Sequence, residues 1–369
     1  MATNSNRLTP ARAIHTGEIL REELKERGIT QREFALSIGV QPTHLNEFIK
    51  GKRNLNEDWA IKFEAQLGIP YSMWMSIHNN YIYECNLIEA KRVEHQHAMQ
   101  FEAACTNVLN LNALYKRLNL LSFSIIDRVA KIKEMFNFDL LSSNELRMQV
   151  AGMYKHSDKV MIDEKNMLTW LVLNLYTISN LERISGYQKG NAILAAKEIA
   201  NKANNRELTI GAIKDILSNY GIGYAYVEKL DKTPIDAYST FIGEMPVITV
   251  TYRYNDMDKL AFDILHELCH IHKHFEHDDK AFIAVEGSTY SDDPREKEAN
   301  EFAQRMLIPD DIWNKIIKAK TGSLMPYSIV KAIAYEAERY GISPSIAIAR
   351  YKHDTNWYRI AAYQSPKIY

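Results

Sequence analysis

At 369 residues the chain is long for one compact domain, and two or three are expected. Hydrophobic residues make up 46% and charged ones 25%, as in an ordinary soluble globular protein, and three cysteines without framework spacing exclude a disulfide scaffold. A net charge of −1 excludes nucleic-acid binding by the surface as a whole, so any DNA contact has to come from a local patch.

The first thirty residues carry charges throughout, which excludes a signal peptide. Thr16 is placed to cap a helix through "GEILREELKER", with Ile19, Leu20 and Leu24 on one face and Gly28 at its end. Thr30 caps a second helix, "QREFALSI", which stops at Gly39. A third starts with Pro42 in its first turn, where the missing N–H costs nothing, and runs to "KGK" at 50–52. Two short helices around a glycine turn make a helix-turn-helix unit. Ala35 is small where the helices cross, and Leu45 and Phe48 face inward. Gln31 and Arg32 begin the helix that would cross the phosphate backbone. On the next helix Gln41, Thr43, His44, Asn46 and Glu47 face outward toward base edges, while Lys50, Lys52 and Arg53 take phosphates. Residues 1–82 hold ten basic and nine acidic side chains, but four basic face two acidic between 31 and 55, so the positive patch is local. The plainer reading of the same pattern is a helical bundle that binds only protein.

"AIHTGEILREEL", "TQREFALSIGVQPTHLNEFIKGKR" and "YSMWMSIHNNY" resemble the HigA branch of the Xre-type helix-turn-helix family over about residues 13–82. Thr16 departs from the proline usual there, a change at a helix cap. The resemblance implies an antitoxin that represses its own operon by binding double-stranded operator DNA. It also implies a homodimer, because one such helix reads only a half-site.

Residues 83–205 have little glycine or proline. They predict helices near 83–103, 122–136, 143–155, 165–183 and 191–203, with a break at "HSDKVMIDEK". The most apolar run, "LTWLVLNLY" near residue 170, is too short to span a bilayer, so no membrane partner is expected. His95 and His97 point in different directions on a helix and read as surface residues rather than ligands. The segment reads as a helical connector and dimer support, with no chemistry of its own.

From residue 207 the pattern changes. "ELTIGAIKDILSNYG" is an amphipathic helix, and "GYAYVEKL", "DAYSTFIG" and "MPVITVTYRY" read as three strands. Pro246 marks the last as an edge or a strand end, and residues 246–252 are expected to offer free backbone groups to an extended substrate. "DMDKLAFDILHELCHIHKHF" then begins a helix on Leu260, Ile264, Leu265 and Leu268. On it His266 and His270 lie about 40° apart around the axis and about 6 Å apart along it, so both imidazoles can meet one ion. Glu267 points about 100° from His266, near the ion without binding it, where it can act as a general base. A catalytic zinc needs a third protein ligand. On the helix "PREKEANEFAQRMLIP", Glu296 lies about 50° from the apolar stripe of Ala299, Phe302, Ala303, Met306 and Leu307, and Glu298 about 110°. Glu296 is therefore the expected ligand and Glu298 the alternative, with Asn300 one turn on to orient a ligand. His274 stands as a spare ligand, His272 points away, and His277 lies past the helix. Tyr238, Tyr252 and His353 are all open as the group that polarises a scissile carbonyl.

"HELCH" followed by "EKEANEFAQRMLIP" resembles the ImmA/IrrE family of zinc metallopeptidases over about residues 206–355. By that resemblance His266, His270 and Glu296 bind Zn2+, Glu267 is the general base, and the substrates are regulatory proteins, often Xre-type repressors. Cys269 takes a place often held by glycine or alanine there and lies a quarter-turn off the ligand face. The fold class expected is mainly α with a small sheet (α+β). The divisions are 1–82 helix-turn-helix, 83–205 helical connector and 206–369 zincin-like peptidase. The function expected is a cytoplasmic DNA-binding regulator or antitoxin whose zinc metallopeptidase cleaves a partner toxin or repressor. The alternative is an antitoxin and autorepressor that neutralises by binding, its metal domain a sensor or interaction module.

Overall fold

The computed structural model describes residues 9–135, 163–274, 281–282, 294–318, 326–360 and 363–368. The chain is mainly helical with one small sheet, and it divides into two units: Met1–Ala103 with Ser124–Val129, and Ala104–Phe123 with Ala130–Tyr369. The predicted helices at 122–136 and 165–183 are present as Ile125–Met135 and Glu164–Ser179, whereas the one at 143–155 lies outside the described residues.

In the first unit, helix α1 (Thr16–Glu26) is capped by His15 rather than Thr16: the Gly17 N–H donates to His15 Nδ1 at 2.9 Å. Thr16 is instead the first helical residue and is fully buried. Helix α2 (Gln31–Ser37) opens on a capping box in which Thr30 and Glu33 satisfy each other's backbone N–H groups. Gly39 turns the chain at φ +68°, a left-handed conformation that suits glycine, and α3 (Pro42–Ile49) follows with its proline in the first turn. With α4 (Glu57–Leu67) these helices close over Leu20, Leu24, Phe34, Leu45, Phe48, Phe63 and Trp74, all at most 2% exposed. Phe63 sits at the centre of this core, with ring centroids 5.3–5.8 Å from Phe34, Phe48 and Trp74. The tryptophan-bearing segment and the expected 83–103 helix are one element, α5 (Tyr71–Thr106), because no glycine or proline interrupts those 36 residues.

The second unit is built around the helix that carries the His-Glu-x-x-His motif. After α5 come α6 (Leu111–Arg117) and α7 (Ile125–Met135), the latter shared by the two units at Val129; the rest of the second unit is α8 (Glu164–Ser179), α9 (Asn191–Asn204), α10 (Ile210–Asn219), β1 (Gly223–Tyr226), β2 (Ala237–Ile242), β3 (Met245–Val250), α11 (Met257–Cys269), β4 (Ala281–Phe282) and α12 (Pro294–Leu307). Three further helices follow: α13 (Asp310–Lys318), α14 (Pro326–Arg339) and α15 (Pro344–Thr355). The apolar run near residue 170 is a buried face of α8, with Met167, Leu168, Trp170, Leu171 and Val172 at most 2% exposed. No helix among the described residues is long and apolar enough to cross a membrane.

Helix α9 presents Ala192, Ala195, Ala196, Ile199, Ala200 and Ala203 to the core at helical spacing. These small side chains let it lie close against α11, whose Leu260, Ala261, Ile264, Leu265 and Leu268 share the same core. The alanine helix, read from sequence as part of a connector, is thus a wall of the motif-bearing unit.

The sheet has the order β1-β3-β2-β4, with β1 and β3 parallel and β2 antiparallel to β3 and β4. This corrects the edge reading of residues 246–252: β3 is paired on both sides over Val247–Val250 and offers no free ladder there. Pro246 is tolerated because it lies at the strand end, one residue before the pairing with β1 begins.

Candidate metal centre and DNA-facing helix

Helix α11 starts at the Asp256 cap and buries its apolar stripe, which fixes the rotation of the helix and turns His266, Glu267 and His270 inward. His270 is fully buried, Glu267 is 1% exposed and His266 is 7% exposed. Helix α12, set by Ala299, Ala303 and Leu307 against the same core, brings Glu296 over this face. The two Nε2 atoms lie 3.0 Å apart, and Glu296 oxygens lie 3.2 Å from His266 Nε2 and 3.5 Å from His270 Nε2. The three residues offer donor atoms all within 4.8 Å of one another.

The far side of His266 decides what its near side can do. Its Nδ1 lies 3.0 Å from Asn300 Oδ1, which only accepts, so Nδ1–H donates and Nε2 keeps its lone pair for the centre. Lone-pair nitrogens and a carboxylate turned on one another repel unless a cation stands between them. Donors about 2.0–2.1 Å from a tetrahedral zinc are spaced about 3.3 Å from each other, as these are. The donor set and its spacing therefore fit the ion.

Burial works against charge on His266, but the Glu296 and Glu267 carboxylates outweigh it and raise its pKa, whereas burial and the neighbouring His266 push His270 well down. Burial pushes the Glu267 carboxyl up to about 7 against the pull of His266 and of Ser239, whose hydroxyl donates to Glu267 Oε2. The Cys269 thiol is fully buried and pushed up to about 12 by that burial, and it is not among the residues whose donor atoms converge.

The spare candidates fall elsewhere. Glu298 is turned to His274 and Lys273. His274 faces the other nitrogen of His270, His272 reaches the Lys189 carbonyl at 3.0 Å, and His277 lies outside the described residues. His95 and His97 are exposed on α5.

A cavity of about 560 Å³ opens on His266, Glu267 and Glu296 and is walled by Phe262, Gln304 and His353 among others. His353 is the one of the three carbonyl-polarising candidates that lines it. Tyr238 is buried against Trp170 on α8, with ring centroids 6.1 Å apart, and Tyr252 is engaged with the Tyr224 hydroxyl at 2.6 Å. Read from sequence as a spare ligand and an alternative ligand, His274 and Glu298 instead meet each other, His274 Nε2 lying 3.0 Å from Glu298 Oε2.

In the first unit Gln41, Thr43, His44 and Asn46 are exposed on α3 and the turn before it, as are Gln31 and Arg32 at the start of α2 and Lys50, Lys52 and Arg53 after α3. Arg53 pairs with Glu47 at 2.5 Å, both partners nearly half exposed.

Residues 224–352 match the profile of the IrrE N-terminal-like domain, a metallopeptidase family, and residues 20–74 match a helix-turn-helix profile. A curated relative, the uncharacterized HTH-type transcriptional regulator YddM of Escherichia coli K12, is 32% identical over 63 residues, 17% of this chain and 67% of that protein.

The chain belongs to the helix-turn-helix family at its N-terminus and carries an IrrE-like domain behind it.

The helix-turn-helix segment is also 34% identical over 70 residues to Virulence-associated protein I of Dichelobacter nodosus, 19% of this chain and 65% of that protein. The chain thus spans about two thirds of the length of these curated relatives. Among solved structures, Pseudomonas aeruginosa antitoxin HigA with the higBA promoter is similar at 29% identity, covering 23% of this chain and 94% of that one, with a TM-score of 0.21. The matched residues 224–352 include every residue of the candidate metal centre: His266, Glu267, His270 and Glu296.

Proposed function

We propose that the chain is a DNA-binding regulator or antitoxin of a toxin-antitoxin-type operon, carrying a zinc metallopeptidase that cleaves a regulatory partner protein. The observation that carries the reading is the convergence of His266, His270 and Glu296 beside a buried Glu267 in one cavity. In this reading those three residues hold Zn2+. When bound, the ion supplies Lewis acidity toward a carbonyl and lowers the pKa of water. Glu267 takes the proton of the attacking water on its carboxylate and delivers it to the nitrogen of the leaving amine. The Ser239 hydroxyl fixes the carboxylate, and Asn300 fixes the His266 ring.

The N-terminal helices read the operator as a homodimer, with α3 in the major groove and Lys50, Lys52 and Arg53 on phosphates. The pair between Arg53 and Glu47 does not stand in the way, because an exposed ion pair holds its partners weakly. Replacing Lys50 and Arg53 by Ala is expected to lower the slope of log K against log salt by about two, as loss of two phosphate contacts requires. An unchanged slope in fluorescence anisotropy would remove these residues from the DNA contact.

A further inference from the structure

Helix α11 does not continue as an α-helix beyond Cys269; His270–His274 form a π turn. Such turns re-aim side chains and are frequent at functional sites. Here the turn sets the His270 and His274 rings at 59°, with centroids 4.9 Å apart and the two Nδ1 atoms 2.8 Å apart. His274 Nε2 lies 3.0 Å from Glu298 Oε2, on the helix that also carries Glu296 and Asn300. The His274 side chain is 6% exposed, whereas Glu298 is 46% exposed at the outer end of the chain of contacts.

We propose that His274 and Glu298 are positioning residues that fix the tautomer of His270 and so hold its Nε2 lone pair toward the metal. The inference rests on the reading of His266, His270 and Glu296 as a zinc site. Its logic is a count of hydrogens. An ionised Glu298 only accepts, so the hydrogen on a neutral His274 must sit on Nε2. His274 Nδ1 is then an acceptor, and the hydrogen between the two Nδ1 atoms belongs to His270. A neutral His270 with its hydrogen on Nδ1 carries its lone pair on Nε2, the atom that faces His266 and Glu296. Asn300 does the same for His266 in one step. Helix α12 thus supplies one ligand and the far-side acceptors for both of the others, directly through Asn300 and by way of His274 through Glu298.

The test is zinc affinity, measured on the full chain by chelator competition at pH 8, where unperturbed imidazoles are neutral. His274→Leu, which removes the acceptor, is expected to bind zinc about 10–100-fold more weakly. His274→Asn keeps an acceptor oxygen at the Nδ1 position and should stay within about threefold of the wild type. Glu298→Ala, a change at an exposed side chain that spares the core, should weaken binding about tenfold or more. Thermal melting of the metal-free variants reports on the fold separately. Wild-type affinity in His274→Leu or Glu298→Ala overturns the proposal, as does equal weakening by Leu and Asn, which would mark His274 as a packing residue. A wild type that fails to bind zinc overturns the metal site itself, a different result from variants that all bind alike.

Discussion

Glu267→Gln is expected to abolish peptide-bond cleavage while zinc content, melting behaviour and operator binding stay as in the wild type. The side chain is 1% exposed, so its environment is protein rather than water. Gln has the same shape, and its amide oxygen can still accept from the Ser239 hydroxyl. What it cannot do is take a proton. A general acid–base group contributes about 10²–10⁴-fold, so the rate should fall by at least about a hundredfold. The same variant separates the two functional readings. If neutralisation of a partner depends on cleavage, Glu267→Gln loses it. If neutralisation is by binding alone, the variant keeps it, and a cleaving variant would remove Glu267 from the chemistry altogether.

Gly17→Ala should unfold the N-terminal unit enough to eliminate DNA binding, with the candidate metal centre of the other unit untouched. In an exposed helix the change would favour folding by about 1 kcal/mol. At this position the added Cβ would lie 2.2 Å from the Phe48 carbonyl oxygen and 2.8 Å from both Phe48 C and Ile49 Cα. Those are backbone atoms of α3, so no rotamer change relieves the clash, and α1 and α3 must separate. Overpacking of this kind costs about 3 kcal/mol or more, a large part of a small unit's stability. Separating the helices opens the core around Phe48 and displaces α3, the helix proposed to enter the major groove. Melting curves would show the loss as a lowered first transition. An unchanged melt with full operator binding would mean that α1 and α3 do not approach so closely.

The helices of the first unit and the convergence of His266, His270 and Glu296 were legible because their signals are local. The Thr30–Glu33 box, the Gly39 turn and Pro42 mark α2 and α3 within a few residues of one another. His266, Glu267 and His270 share one helix, and the stripe of Ala299, Ala303 and Leu307 fixes the rotation that turns Glu296 inward. What the residues did not reveal depends on pairing across the chain. The position of β3 between β1 and β2 follows from which strand finds which partner, and Pro246 at a strand end looks the same in an edge strand. The π turn at His270–His274 leaves no mark in hydrophobic spacing, so His274 read as a spare ligand instead of a neighbour of His270. Likewise His15 displaced Thr16 as the cap of α1, because an imidazole nitrogen can accept the Gly17 N–H that a hydroxyl usually takes.

The proposed centre is one ion held by three side chains. Elemental analysis of the purified chain beside His266→Ala, both dialysed against a weak chelator, tests it without need of a substrate. About one zinc per wild-type chain and almost none in the variant are expected, since loss of one of three protein ligands leaves too few for a catalytic site. A wild type that holds no zinc, or a variant that holds as much, would contradict it.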